Sequence, residues 1–251
     1  MTYLNKLTRQ ILKTSMLVML ALLMIPGFLT AQADKQNLYE VVRIKVKAGQ
    51  EKAFEAAVMT HNDAFHGEGL YRASLAFNIN GPFGGTYSWI MGPTNYAAMD
   101  SRPSEGAHDD DWAKVNAFIE EVSPPTYWTF DRENSHLVEN DASDKDLIWV
   151  YDIKSGQRHR WAELVGKVKE VYEKKRPNES FRVVWNEFSD TKQGHDAAIL
   201  FGMEKWAYLD LDRDFGKTFE EVHGPNTWNN FLNDFRATVN GRVDFLRADV
   251  K

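Results

Sequence analysis

The sequence predicts an α+β fold. Two tandem βαββαβ units, each a sheet with helices on one face, set their bare faces together as an intramolecular barrel. Three observations predict it. First, the chain repeats itself: Leu38–Val46 (LYEVVRIKV) and Leu147–Lys154 (LIWVYDIK) start 109 positions apart, and Gly92–Asp100 (GPTNYAAMD) matches Gly202–Asp210 (GMEKWAYLD) at a spacing of 110. Self-similarity at that length marks a duplicated domain rather than a short solenoid repeat. Second, each copy runs through strand and helix periods in the same order. Third, the strand faces turned away from the helices carry large apolar side chains, and a second sheet must cover them.

In the first copy Val42, Ile44 and Val46 alternate along a strand, and Ala48-Gly49 turns the chain. Phe54, Ala57, Val58 and Phe65 recur at helical spacing. Ala73, Leu75, Phe77 and Ile79 alternate again, and the cluster 80–85 (NGPFGG) reads as a hairpin turn into Tyr87, Trp89 and Met91. Trp112, Val115, Ile119 and Val122 predict a second helix, stopped by Ser123-Pro124-Pro125 before a closing strand over 127–130. The second copy repeats the order. Trp149, Tyr151 and Ile153 form a strand, and Trp161, Leu164, Val165, Val168 and Tyr172 a helix. Residues 181–188 and 197–201 pair around the polar turn 189–196. Trp228, Phe231, Leu232, Phe235 and Val239 carry the last helix, and 243–246 closes the unit. A βαββαβ unit is ferredoxin-like. The domain plan is a leader at 1–33, units at 36–131 and 146–250, and a polar linker at 132–145.

The first 33 residues read as a cleaved secretory signal. Lys6, Arg9 and Lys13 precede an uncharged apolar run from Met16 to Ile25, and Ala31-Gln32-Ala33 supplies the small-x-small cleavage pattern. There is no cysteine, which excludes disulfides, thiolate chemistry and a lipid-anchored lipoprotein. A bacterial, periplasmic or secreted protein is the expectation. The formal net charge is −6, and loss of the three basic residues of the leader leaves −9. An acidic surface argues against nucleic acid and anionic membrane as partners.

The element order, the Tyr/Trp-Ala-x-Met/Leu-Asp pattern after the third strand of each copy, and a histidine before each last helix carry a resemblance. The chain resembles the dimeric α/β-barrel superfamily, in the style of antibiotic-biosynthesis-monooxygenase (ABM-like) domains, over 36–131 and 146–250. The resemblance implies a pocket between helices and sheet. It leaves the reaction open, since relatives include cofactor-free quinone-forming oxygenases, haem-degrading enzymes, haem peroxidase-like proteins and isomerases. Haem is therefore one cofactor the resemblance allows. A fused pair has already buried the usual dimer face, so a monomer is the default.

The candidate catalytic residues are His108, in Glu105-Gly-Ala-His108-Asp-Asp-Asp-Trp112, and His223, in Glu220-Glu-Val-His223-Gly-Pro-Asn-Thr-Trp228. A histidine at a helix N-terminus is favoured in its neutral form and can meet a ligand; the alternative is an imidazole that only orients its loop. Glu and His from one copy would give a metal two ligands, so no metal set is assigned. Asp109-Asp110-Asp111 is explained by the helix dipole. In the run His61-Asn-Asp-x-x-His66, Asn62 and His66 stand four apart and can share a helix face. The expected ligand-binding residues are Asn62, His66, Trp89, Trp112, Trp185, Glu187 and Trp228. Glu187 qualifies because Asn186-Glu187 interrupts an apolar strand, and an inward carboxyl would be a base of raised pKa. Trp89, Trp149, Trp185 and Tyr151 are expected mainly as barrel filling. No Gly-rich phosphate loop, Gly-x-Ser-x-Gly elbow or His-Glu-x-x-His motif occurs. The functional expectation is an exported barrel that binds a small, largely apolar ligand. An ABM-like oxygenase or haem-handling enzyme and a non-catalytic interaction protein are the alternatives.

Overall fold

Alternation of apolar side chains produces the strands. Leu38–Val46 (β1), Ala73–Asn78 (β2) and Thr86–Thr94 (β3) come first, followed by Ile119–Val122 (β4), Thr126–His136 (β5) and Lys145–Ile153 (β6). Phe181–Asn186 (β7), Ala197–Met203 (β8) and Val239–Asp249 (β9) complete them. The helices are Glu51–Phe65 (α1), Tyr96–Met99 (α2), Ala107–Asn116 (α3), Arg158–Lys175 (α4), Phe215–His223 (α5) and Thr227–Thr238 (α6). The computed structural model describes residues 36–102, 105–188, 194–211 and 214–251. The expected leader and residues 189–193 of the polar turn lie outside the described residues. Among those described, no helix is long and apolar enough to cross a membrane.

The strands form one antiparallel sheet in the order β3-β2-β9-β6-β8-β7-β5-β1, and β3 also pairs with β1. That last pairing closes an eight-stranded barrel, with β4 attached along the far end of β1. The first half contributes neighbours in the order β5-β1-β3-β2 and the second β9-β6-β8-β7. Two seams join them: β2 meets β9 at Asn78↔Arg247, and β5 meets β7 at Trp128↔Asn186. Closure leaves the barrel strands no free edge. At the first seam the hairpin turn lies on β9. Gly81 has φ +70, and a Cβ there would meet the Asp244 carbonyl oxygen at 2.6 Å, so only glycine fits this turn.

Outward strand residues and helices make two apolar layers. In the first half Phe54 and Val58 of α1 and Val115 of α3 pack on Ile44, Leu75, Tyr87, Trp89 and Met91. In the second half Trp161, Val165 and Tyr172 of α4 pack on Tyr151, Phe181, Trp185 and Ile199. The large aromatics thus face the helices, which corrects the expectation that Trp89, Trp149, Trp185 and Tyr151 mainly fill the barrel. The reason is strand alternation: Trp149 and Tyr151 share the outward face of β6, and Ile148 and Val150 take the inward one. Facing sheets of a closed barrel leave room for Ile148, Val150, Ala198 and Phe245, with Trp128, Val184 and Leu200 beside them.

Two further corrections concern element ends. Residues 112–122 are not one helix: α3 stops at Asn116, and Ile119–Val122 pairs with β1 as β4. Likewise β5 runs on to His136, so the first part of the expected linker is strand. Both segments supply donors and acceptors that a neighbouring strand edge needs.

The barrel interior also holds charge. Asp146, almost fully buried, accepts from Arg182 Nη2 and, at 2.6 Å, from Arg247 Nη2. One carboxylate therefore ties β6 to β7 and β9. We expect Asp146→Ala to leave two guanidinium groups without their shared acceptor. The loss should be about 2–3 kcal/mol in urea unfolding, below the range for a fully buried pair because water reaches Arg182. An unchanged midpoint would show the bridge to be idle.

Candidate functional site

Three histidines meet at one point between α1 and α3. His61 lies in the last turns of α1, His66 is the residue that ends it, and His108 is the second residue of α3. Their rings stand 4.9 to 5.3 Å apart, centre to centre. One ring nitrogen from each lies within 4.8 Å of the others. His61 is fully buried, His66 nearly so, and the His108 side chain keeps 15% of its surface in contact with solvent. His108 is thus the exposed edge of the group.

The orientation of each ring follows from its partner. His66 Nδ1 lies 2.7 Å from the Tyr71 carbonyl oxygen. A carbonyl only accepts, so Nδ1 carries the proton and Nε2 keeps a lone pair. His61 Nδ1 donates to Asp111 Oδ2 at 3.0 Å, and His108 Nδ1 to Asp109 Oδ1 at 2.8 Å. The Nε2 atoms are left without these partners. Those of His66 and His108 are 3.2 Å apart, and His61 Nε2 is buried with no hydrogen-bond partner. Burial pushes the His66 imidazole down to about 4, and burial also lowers His61, against the opposing pull of the Asp111 hydrogen bond. Both rings are therefore neutral at pH 7. Lys114 and His61 together hold the Asp111 carboxyl below its usual value.

Aromatic rings wall the group. Trp112 and Phe65 stand 4.9 and 5.1 Å from His61, and Trp89 stands 5.2 Å from His66. Trp89 Nε1 donates to Asn62 Oδ1 at 3.0 Å, which joins β3 to α1. The Tyr71 hydroxyl donates to the Ala98 carbonyl at 2.8 Å and pins the turn that orients His66. Beyond Trp89, Arg102 pairs with the buried Glu40 at 2.7 Å.

The structure thus gathers His108, Asn62, His66, Trp89 and Trp112 of the expected site residues. It adds His61, which helical spacing had paired with nothing. Residues five apart on a continuous helix point about 140° away from each other. Here α1 ends at Phe65, and His66, with φ −133 and ψ 20, swings its ring back beside His61. Asp109 and Asp111 also gain a task beyond the helix dipole, since each fixes one imidazole.

The remaining expected residues lie elsewhere. Trp185 packs on Trp161 in the second-half layer and donates to Asp131 at 2.8 Å. Glu187 is exposed and accepts from Thr129, while Asn186 is the buried member of the pair. The buried-base expectation for Glu187 is therefore corrected: its side chain leaves the strand on the solvent side. His223 ends α5 instead of opening a helix, because Gly224-Pro225 separates it from α6. Its Nε2 donates to the Lys167 carbonyl at 3.0 Å, and its ring lies on Phe219. Trp228 stacks on Phe231 within an apolar group that includes Leu164 and Phe219. The second half thus carries a packed aromatic plug beside its histidine.

Haem does not fit the three-histidine group. A porphyrin fills four positions in its plane and leaves two axial sites on opposite faces. Three imidazoles aimed at one point have no such arrangement.

No family model and no curated protein matches the sequence. Solved structures do match in fold. A candidate monooxygenase from Fusobacterium nucleatum subsp. nucleatum is similar at 12% identity, over 85% of this chain and 92% of that one, with a TM-score of 0.53. An anthrone oxidase-like protein aligns at 10% identity over 88% of this chain and 94% of its own, with a TM-score of 0.53. A chlorite dismutase from Candidatus Nitrospira defluvii, in complex with imidazole, aligns at 6% identity over 86% and 92%, with a TM-score of 0.50. At these identities the likeness is one of fold: an α+β chain with a closed antiparallel barrel of the dimeric α/β-barrel kind.

The Asn62–Trp89 bond gives a direct test of how the wall is held. Asn62→Ala should orphan a buried indole N–H and cost about 1–3 kcal/mol in chemical denaturation. Loss of that hydrogen bond should also register in the Trp fluorescence spectrum. An unaltered midpoint and spectrum would contradict this role.

Proposed function

We propose that this is an exported α/β-barrel protein that binds a small, largely apolar molecule beside the three histidines. The proposal includes a history: the two halves are tandem ferredoxin-like units, duplicated from one ancestor and fused into an intramolecular barrel. The matching strand orders, β5-β1-β3-β2 and β9-β6-β8-β7, support that history. The observation that carries the function is the aromatic wall of Phe65, Trp89 and Trp112 around imidazoles whose exposed member is His108. Apolar walls with a few convergent polar groups are the usual build of a small-molecule site. The packed aromatics around Trp228 favour the first half as the working one.

An oxygenase-type reaction is the second reading. The names of the monooxygenase and oxidase-like fold neighbours support it, as does a partly exposed imidazole available as acid or base. His108 would take a proton from a bound phenolic or enolic substrate, with Asp109 stabilising the resulting imidazolium.

Native mass spectrometry of the protein recovered from its own host tests the binding reading. A retained small organic mass that disappears in Trp112→Ala is the expected result, and a bare polypeptide would contradict it. Oxygen uptake with anthrone-type substrates tests the reaction. His108→Ala should lower kcat by about 10²–10⁴-fold, the usual worth of a positioned acid or base. Uptake unaffected by that change would remove His108 from the chemistry.

A further inference from the structure

Imidazoles whose Nδ1 atoms are both tied to oxygen do not set their Nε2 atoms face to face without cause. His66 and His108 both commit their Nδ1 protons to oxygen acceptors, yet their Nε2 atoms sit 3.2 Å apart. His61 aims a third Nε2 into the same region, fully buried and unpartnered. A buried polar atom left bare costs about 1–3 kcal/mol, so something must repay it. A proton shared by His66 and His108 would join that pair and leave His61 bare. A metal ion engages all three.

We propose that His61, His66 and His108 bind one divalent transition-metal ion through their Nε2 atoms, with a coordination position left open beside His108. This rests on the reading of the space between α1 and α3 as the working site, and it replaces the free-base role of His108, since an Nε2 bound to metal accepts no proton. Four features support it. Two nitrogens bound to one zinc-like ion in tetrahedral geometry lie about 3.3–3.4 Å apart, close to the spacing of His66 and His108. Each ligand has the outer partner that a metal-bound histidine ordinarily has: Asp111, the Tyr71 carbonyl and Asp109. The two carboxylates among these partners match the charge of a divalent cation without entering its coordination sphere. The donors are all imidazole nitrogens, a set that suits zinc, copper, nickel, cobalt or ferrous iron and not magnesium or calcium. Three histidines plus an open position is the plan of a site that works on a bound water or substrate, since a purely structural site is closed by four protein ligands.

The test is titration of the full-length, chelator-treated protein with zinc chloride by calorimetry, and with cobalt chloride by visible absorption. One equivalent of each should bind, and cobalt should give the spectrum of a site of low coordination number. His108→Ala and His66→Ala should weaken zinc binding at least 100-fold, and magnesium chloride should give no heat. Asp111→Asn, which leaves all three ligands in place, should weaken binding about 10–100-fold. His159→Ala, at an exposed position on α4, should bind like the parent. Because His61 is buried and His61→Ala could unfold the layer, circular dichroism accompanies each variant, and the partly exposed His108 carries the decision. Binding that survives His108→Ala in a folded protein, or no bound equivalent in the parent, would overturn the metal site. Neither result touches retention of an organic mass, so the metal proposal and the small-molecule reading fail separately.

Discussion

Closure of the barrel is the constraint from which the rest follows. Once β3 pairs with β1 and the two seams are made, each of the eight strands has a neighbour on both edges. The interior holds only some of the chain's aromatics, Phe245 and Trp128 among them. It is filled by Ile148, Val150 and Phe245 together with the polar set around Asp146. Trp89, Trp149 and Trp185 lie on the outward faces, where the helices cover them. The proposed site therefore lies between sheet and helix, and the ends of α1 and α3 decide what lines it.

The two halves resolve that same space differently. In the first, α1 stops at Phe65, and the chain turns through Gly69–Tyr71 to present a carbonyl to His66. α3 then brings His108 with two carboxylates in its first turns. In the second, α4 continues for eighteen residues to Lys175, and Phe219, Trp228 and Phe231 close over it. The helix that ends early leaves a polar cluster; the longer helix leaves apolar packing. This asymmetry supports the first half as the proposed working half, with the second completing the barrel.

Much of this was legible in the residues. Alternation at Val42, Ile44 and Val46, and at Tyr87, Trp89 and Met91, located strands and the face each buries, because the strand period is two wherever one face is covered. The identity of the covering layer was not legible: alternation says that Trp89 is buried, not whether a helix or a second sheet buries it. Element ends were also obscure. Ile119 and Val122 continue a helical period from Trp112 and Val115, and only the stretch of β1 beyond its pairing with β5 makes them a strand. In the site, His66, Asn62, His108, Trp89 and Trp112 were marked by residue type and spacing. His61 was not paired with His66, since the helix end that reunites them is a backbone event. The bond from His61 to Asp111 spans fifty positions and has no local signature.

Three oxygen atoms hold the Nδ1 atoms of His61, His66 and His108 protonated and leave the opposite nitrogens with lone pairs. Long-range proton–nitrogen NMR on the metal-free protein, just above neutral pH, reads the tautomer of each ring. The expected result is the Nδ1–H form for His61, His66 and His108 alike, and the Nε2–H form for His223. An Nε2–H tautomer at His61 or His66 would put that ring's lone pair on Nδ1 and remove it from the shared metal site.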